Sequence, residues 1–252
     1  DMTHHLASSF FWFLYPRFKT HQTDHPILTY IGTGLRLLML RWRVPKATAE
    51  IAAAERRPTQ TFIFPLQIAR DFSLRAYSPY PDLETPIRDV IRSFAAHAPD
   101  DAHLIVKVHP LDPGLKSWKR YALKVAREAG VEGRVIYIDG GDLGRLIDAA
   151  AGVVVVNSTV GLLSLQHGRP TLALGQAIYD VPGMTAQNGL DAFWRAPPKP
   201  DMDLVNAFIR AITGSIMIRG VFYSEPGLTA GVKAATERLL ERSVNQPRMA
   251  AE

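Results

Sequence analysis

The sequence predicts an α/β fold, a Rossmann-like doubly wound parallel sheet preceded by a helical segment, and three observations carry that expectation. From Thr61 onward, short β-branched runs alternate with amphipathic stretches, the order of elements that builds a parallel sheet with right-handed crossovers. Residues 153–156 are four consecutive valines, as a strand buried on both faces requires. Several polar clusters fall directly after the strand-like runs, where open α/β sheets bind their ligands.

Taken in order, residues 3–19 hold the aromatic cluster Phe10-Phe11-Trp12-Phe13-Leu14-Tyr15-Pro16-Arg17-Phe18, too short to span a bilayer and expected to be a packed helix. Pro26 opens an apolar stretch over 27–39 that is interrupted by Arg36 and followed by Arg41, Trp42, Arg43 and Lys46. It falls short of the roughly 20 residues needed to cross a membrane. Two readings fit it: a helix packed in a core, or an interfacial helix on an anionic inner-membrane surface. Residues 47–60 are alanine-rich and carry Glu55-Arg56-Arg57-Pro58, which predicts a helix, then a linker and a domain boundary.

Strands are expected at 61–66, 103–108, 135–138, 153–156 and 171–174, with helices at 84–97, 117–129, 142–149 and 160–166 between them. The last of these helices ends at Gly168, and Pro170 hands the chain to the next strand. Helices at 201–212 and 231–241 follow, and the polar tail beyond Ser243 is expected to fray. The predicted organisation is a helical segment 1–58, a Rossmann-like domain 59–215 and a C-terminal helix with tail 216–252.

The 252 residues are 47% hydrophobic, enough for a packed core in one large domain or two small ones. The chain has no cysteine, which excludes a disulfide framework and thiolate metal sites and suits a cytoplasmic address. A net charge of +5 suits an anionic partner, either a phosphorylated substrate or an acidic membrane surface; a nucleic-acid partner is not expected. The chain starts at Asp1-Met2 with no signal-peptide pattern and no strand before its first helix, which predicts a trimmed start.

The chemistry is expected at the carboxyl ends of the strands. Asn157-Ser158-Thr159 stops the valine run and precedes a helix; these residues either only cap that helix or also offer its first turn to an anion. After the first strand, Gln67 and Asp71 leave an apolar run for a loop, and Asp71 is either a cap or a reacting carboxylate. After the second, Lys107-Val108-His109-Pro110 puts Lys107 and His109 on one side of the strand by the period of two, a cation and an imidazole able to hold a phosphate. After the third, Asp139-Gly140-Gly141-Asp142 reads as a glycine turn and a helix cap. No Walker A, dinucleotide-binding, nucleophile-elbow or zinc-protease pattern is present. Asp201-Met202-Asp203 reads as a helix cap, so a metal-dependent sugar-nucleotide site is not expected.

In order along the chain stand Gln67-x-x-x-Asp71, Lys107-x-His109-Pro110, Asp139-Gly-Gly-Asp142-Leu143, Asn157-Ser-Thr-Val-Gly161 and Gly175-Gln-Ala-Ile-Tyr179-Asp180, followed by Gly183-Met-Thr185 and Phe193-Trp194. Together, over roughly 60–215, they resemble the capsule polysaccharide biosynthesis and export family, the KpsS/LipB-type β-Kdo transferases of group 2 capsules. The resemblance implies the C-terminal half of a retaining GT-B-type glycosyltransferase that takes 3-deoxy-manno-octulosonic acid (Kdo) from CMP-Kdo. No metal or other cofactor is implied. Asp71 would be the nucleophile, His109 and Lys107 would stabilise the departing phosphate, and Gln67, Pro110, Asp142, Asn157, Ser158, Thr159 and Gly161 would bind substrate. The implied acceptor is a phosphatidylglycerol-type lipid, the implied location the cytoplasmic side of the inner membrane, and other capsule assembly proteins are implied partners. Two rivals remain on the same framework: a sugar-nucleotide epimerase or hydrolase, and a non-catalytic export scaffold.

Overall fold

The computed structural model describes residues 11–14, 26–57, 59–218 and 220–243. Of the aromatic N-terminal cluster, only a 3₁₀ turn at Trp12–Leu14 lies among them; the rest of the expected 3–19 helix falls outside the described residues. The next element differs from expectation. Helix α1 runs unbroken over Pro26–Arg56, where the sequence suggested an apolar segment and a separate alanine-rich one. Pro45 lies inside it without ending it. Pro45 is exposed, so the carbonyl it leaves unpaired faces water, which lowers the cost of an interior proline.

The five expected strands all form, as β1 (Thr61–Pro65), β2 (His103–Lys107), β3 (Val135–Ile138), β4 (Gly152–Val155) and β5 (Thr171–Ala173). They make one parallel sheet in the order β3-β2-β1-β4-β5. The chain therefore winds outward from β1 to β3, then returns past β1 to place β4 on its other side. The reversal between β1 and β4 is the topological switch point of a doubly wound sheet. The connecting helices include α2 (Phe72–Ala76), α3 (Glu84–His97), α4 (Trp118–Glu128), α5 (Leu143–Asp148), α6 (Val160–Gln166) and α7 (Gly189–Phe193). Of these, α2 and α7 were not anticipated, since five residues are too few to show a helical period.

The core follows from the valine and phenylalanine content of the strands: Phe62, Phe64, Leu104, Val106 and Val154 are fully buried. Phe193 and Trp194 close it, Trp194 lying edge-on to Phe62 and Phe94 and donating its indole N–H to Ser93 Oγ at 2.8 Å. This pair, part of the motif series in the sequence, is thus a packing element.

By its contacts the chain divides into two compact units, Asp1–Pro200 and Asp201–Glu252. In the second unit, α8 (Met202–Ser215) is capped by Asp201, whose carboxylate accepts from Asp203 N and Leu204 N. The Asp-x-Asp is a cap, as expected. Helix α9 (Gly227–Leu240) carries Arg238, which donates to the carbonyls of Ser215, Ile216 and Met217 and so satisfies the end of α8.

One buried side chain ties helix α1 to the sheet, and others join it. Arg36, only 6% exposed, forks onto the Asp139 carboxylate with Nη2 at 2.5 Å and Nε at 3.3 Å. Its Nη1 donates to the carbonyls of Pro110, at 3.0 Å, and of Asp112. Arg43, one heptad further along, adds a 2.7 Å contact to the same carboxylate. Gly140 and Gly141, both at positive φ, bring the β3–α5 turn against Val44, Ala47 and Ile51 of α1; a Cβ on Gly141 would stand 2.7 Å from Ile51 Cδ1. Truncating Arg36 leaves Asp139 buried with one partner and two carbonyls unsatisfied. Arg36→Ala is expected to cost about 3–5 kcal/mol, against no more than about 1 kcal/mol for the half-exposed Arg43→Ala. Urea unfolding of the two variants checks the ranking, and equal losses would show that Arg36 is not the anchor.

Candidate functional site at the carboxyl end of the sheet

Strand register fixes which residues meet. Pro65 pairs with Lys107, and Lys107 with Ile138. On the other side, Ile63 pairs with Val153 and Val155 with Ala173. Counting two residues past each strand puts Gly140, His109, Gln67, Asn157 and Gly175 in one row along the carboxyl edge. The sheet-like hydrogen bonds Leu66 N to Lys107 O, Val108 N to Ile138 O and Gly175 N to Val156 O continue the register into that row. The motif residues that sequence spacing placed after separate strands are therefore neighbours across the sheet.

At the switch point, Gln67 and Asn157 are bonded to each other. Gln67 Nε2 donates to Asn157 Oδ1 at 2.8 Å, and Asn157 N donates back to Gln67 Oε1 at 3.3 Å. Asn157 Nδ2 also donates to the carbonyls of Ser73, at 2.7 Å, and Tyr77, at 3.1 Å, which holds α2 over the strand ends. Both amides are thus largely committed to the protein and shape the site more than they offer it donors.

The turn after β4 is organised differently from the expected three-residue cap. Thr159 occupies the cap position in a helical conformation and makes no side-chain capping bond; Ser158 Oγ accepts from Val160 N at 3.2 Å. Thr159 is exposed, and its hydroxyl has no partner among the described residues. Gly161 serves packing: a Cβ there would stand 2.6 Å from the Tyr179 ring, and the Tyr179 hydroxyl donates to Ser158 O. Burial raises the Tyr179 pKa above its ordinary value, so the phenol stays neutral and keeps that bond.

On the β2 side, Lys107 is 4% exposed and donates from Nζ to Gly140 O. Burial lowers its pKa, opposed by Asp139 and reinforced by Arg36. His109 accepts the Leu111 N–H on Nδ1 at 3.0 Å, so the proton of the neutral ring sits on Nε2. Burial pushes its pKa below the ordinary histidine value; Asp112 and Asp71 oppose this, and Arg36 and Lys107 add to it. Asp71 is therefore close enough to act on His109 electrostatically. Pro110 is exposed, with its carbonyl taken by Arg36.

The two candidate carboxylates both cap helices. Asp71 Oδ1 accepts from Ser73 N at 2.9 Å, and Asp142 Oδ1 accepts from Arg145 N at 3.0 Å. In each, the second oxygen has no hydrogen-bond donor among the described residues. No group of three or more His, Asp or Glu able to hold a metal occurs among the described residues. Sequence reasoning missed Arg36, Arg43 and Tyr179. The seven-residue spacing of Arg36 and Arg43, which puts both on one face of a helix, was the available signal for the arginines.

The His109 shift has a consequence for stability. The unfolded chain takes up a proton as pH falls through about 6.5, while folded His109 remains neutral to lower pH. Stability present above that value is therefore lost as pH falls towards the depressed folded value. His103 is shifted the same way, chiefly by burial, so His109→Gln should remove only part of the effect. Melting temperatures measured from neutral pH downward are expected to fall less steeply in His109→Gln than in the wild type. Superimposable curves would mean that the fold does not hold His109 neutral.

A family model described as capsule polysaccharide biosynthesis protein matches residues 1–223. The capsule polysaccharide modification protein LipB of Neisseria meningitidis serogroup A is 38% identical over 165 residues, covering 65% of this chain and 39% of that protein. The capsule polysaccharide export protein KpsS of Escherichia coli is 29% identical over 216 residues, covering 83% of this chain and 54% of that one. The chain thus spans about half, or less, of the length of these relatives. Among solved structures, the Thermosulfurimonas dismutans KpsC β-Kdo 2,7 transferase is 19% identical, with a TM-score of 0.43 over 74% of this chain and 54% of that one. From the family match, this chain belongs to the capsule polysaccharide biosynthesis protein family.

Proposed function

We propose that the chain is the donor-binding half of a capsule glycosyltransferase of the GT-B type, acting on a CMP-linked acidic sugar, Kdo, and passing it with retention to a phosphatidylglycerol-type lipid. The observation that carries this reading is the row at the carboxyl edge. A neutral imidazole with a free Nε2–H, an unpartnered threonine hydroxyl and a carboxylate with one free oxygen stand around the switch point of a sheet in a member of this family. A phosphate-bearing leaving group needs donors that strengthen as it departs. In this scheme His109 Nε2–H and Thr159 supply them, with Ser158, and Lys107 contributes its charge from behind the Gly140 carbonyl.

Two displacements give retention. Asp71 Oδ2 attacks the anomeric carbon, the bond from that carbon to the CMP phosphate oxygen breaks, and CMP leaves with the electron pair. The acceptor hydroxyl then attacks the same carbon, loses its proton to a base, and releases the Asp71 carboxylate. Because the His109 ring is held neutral, it serves the first step as a hydrogen-bond donor and is available to take the acceptor proton only if the Leu111 N–H is given up. No metal is required at any step.

Binding and chemistry separate in two experiments. Each charge-assisted hydrogen bond lost is worth about 1.5–3 kcal/mol, so Ser158→Ala/Thr159→Ala/His109→Ala is expected to weaken CMP binding by at least about 10- to 100-fold in calorimetry. Unchanged affinity would remove the site. Asparagine caps helices as well as aspartate, so Asp71→Asn should keep α2 and CMP affinity while abolishing transfer. Intact mass after mixing with CMP-Kdo is expected to show a Kdo-sized adduct on Asp71; an adduct on another carboxylate, or full activity in Asp71→Asn, would refute the assignment.

A further inference from the structure

A groove of about 680 Å³ lies between α1 and the start of α4, beside β3, the outermost strand of the sheet. Its volume falls within the ~300–1,000 Å³ of small-molecule sites. None of Gln67, Asp71, Lys107, His109, Ser158 and Thr159 lines it, so it is separate from the row at the carboxyl edge. Leu35 and Met39 of α1, with Val108 and Trp118, give it apolar walls. Set among them are polar groups that the protein leaves unused. Of the cations along the groove, Arg36 and Arg43 are spent on Asp139, and Lys116 pairs with Glu84. Lys46 of α1 and Lys119 of α4 also line it, and neither has a partner among the described residues. The hydroxyl of half-buried Tyr137 has none there either. Burial, reinforced by Asp139 and Asp112, holds its pKa above the ordinary value, so the phenol keeps a proton to donate. Ser117 accepts the Arg120 N–H at 3.3 Å and has its own proton free. Glu50, in the same groove, has as its ion pair among the described residues only a 3.8 Å contact from Arg57.

We propose that this groove binds an acidic sugar, a carboxylated unit or the end of a chain of them, at a site separate from the row. The chemistry of the lining selects the occupant. Two ammonium groups, one from each helix, favour negative charge. Two hydroxyl donors and one carboxylate acceptor suit the ring hydroxyls of a sugar, which both donate and accept. The apolar walls suit the C–H faces of its ring. An inorganic anion would leave the walls, both hydroxyls and Glu50 unused, and a neutral sugar would leave both ammonium groups unused. Glu50 also disfavours a ligand charged at every position, such as an oligophosphate, by like-charge repulsion. The proposal stands independently of the transferase reading. If both hold, the groove keeps its hold on a sugar chain while the row exchanges its nucleotide.

Calorimetry with defined sugars tests it without any activity measurement. The wild-type chain is expected to bind a sialic acid trimer or a galacturonic acid trimer with an affinity that falls as salt rises, and to bind uncharged maltotriose about tenfold more weakly or less. Lys46→Gln/Lys119→Gln should weaken binding of the acidic trimer by on the order of tenfold, the worth of two charged contacts at a partly exposed site, and flatten its salt dependence. Tyr137→Phe should weaken it by a few-fold and leave the salt dependence unchanged, because the hydrogen bond it removes is neutral. These groups have no protein partner to lose, so both variants should melt like the wild type, and saturating CMP should leave the affinity for the acidic trimer unchanged. No binding of either acidic trimer, equal affinity for maltotriose, or unchanged binding by Lys46→Gln/Lys119→Gln would overturn the proposal. Competition by inorganic phosphate at matched ionic strength would reduce the groove to a general anion site, and displacement by CMP would put the sugar in the row; either result overturns it equally.

Discussion

The arrangement of the carboxyl edge depends on a buried guanidinium. Taking Arg36 out of water is costly, and the cost is offset only because every direction of its fork finds an acceptor: both oxygens of Asp139 and the carbonyls of Pro110 and Asp112. Those acceptors belong to the β2 loop and the β3 end, so the side chain that holds α1 to the sheet also sets the path from His109 to Asp112. Asp112 extends the constraint, accepting from Trp118 Nε1 at 3.0 Å and Gly114 N at 2.8 Å, which ties the loop to the start of α4. The path of the loop that carries His109 is thus set by a helix more than 70 residues earlier in the chain, whose charge adds to the lowering of the His109 pKa that burial causes.

The two halves of the row are stabilised by opposite means. The β1/β4 half, Asp71 and Thr159 apart, is uncharged and closed on itself: the Gln67–Asn157 amide pair and the Tyr179–Ser158 bond use most of their donors and acceptors internally. The β2/β3 half is charged, with Lys107 and Arg36 balanced by Asp139. A ligand spanning both would gain little from the satisfied amides and most from groups still free, namely the His109 Nε2–H, the Thr159 hydroxyl and the second oxygen of Asp71. The residues that give the edge its shape are therefore distinct from those with interaction capacity to spare, although one set of motifs contains both.

What was legible in the sequence tracks how local the determinant is. The strands were legible because valine and isoleucine runs bounded by turns depend on neighbours alone, and α6 over Val160–Gln166 has the expected bounds. Asp142 and Asp201 were legible as caps for the same reason. The continuity of α1 was not, because its proline is tolerated only on an outward face and its arginine only with a partner 103 positions away; neither fact is visible within the helix. Reading Arg36 as an interruption of an apolar face was reasonable locally and wrong in three dimensions. Tyr179 falls within a motif that does not reveal its role, since it fills the space left by Gly161, eighteen positions before it. The motif residues at the strand ends were legible as a set, while their division into shaping and free groups required the hydrogen bonds.

The sheet order also separates the two carboxylates that local sequence could not. Asp71 and Asp142 are chemically alike here, each an N-cap with one oxygen bonded to a backbone N–H and one left over. Capping does not disqualify either, because the bonded oxygen fixes the direction of the free one. Their places differ. Asp71 follows β1, the central strand, beside the β1/β4 reversal where a ligand cleft opens. Asp142 follows β3, at the edge of the sheet and two strand spacings, about 10 Å, from β1. In the proposed scheme a leaving group held between His109 and Thr159, after β2 and β4, straddles β1, the strand that Asp71 follows, whereas Asp142 lies beyond β3, next to the Gly140-Gly141 turn and near enough to Lys107 to act on its charge. The sheet order is thus consistent with the proposed role of Asp71, while Asp142 makes the smallest of the contributions to the Lys107 pKa, raising it.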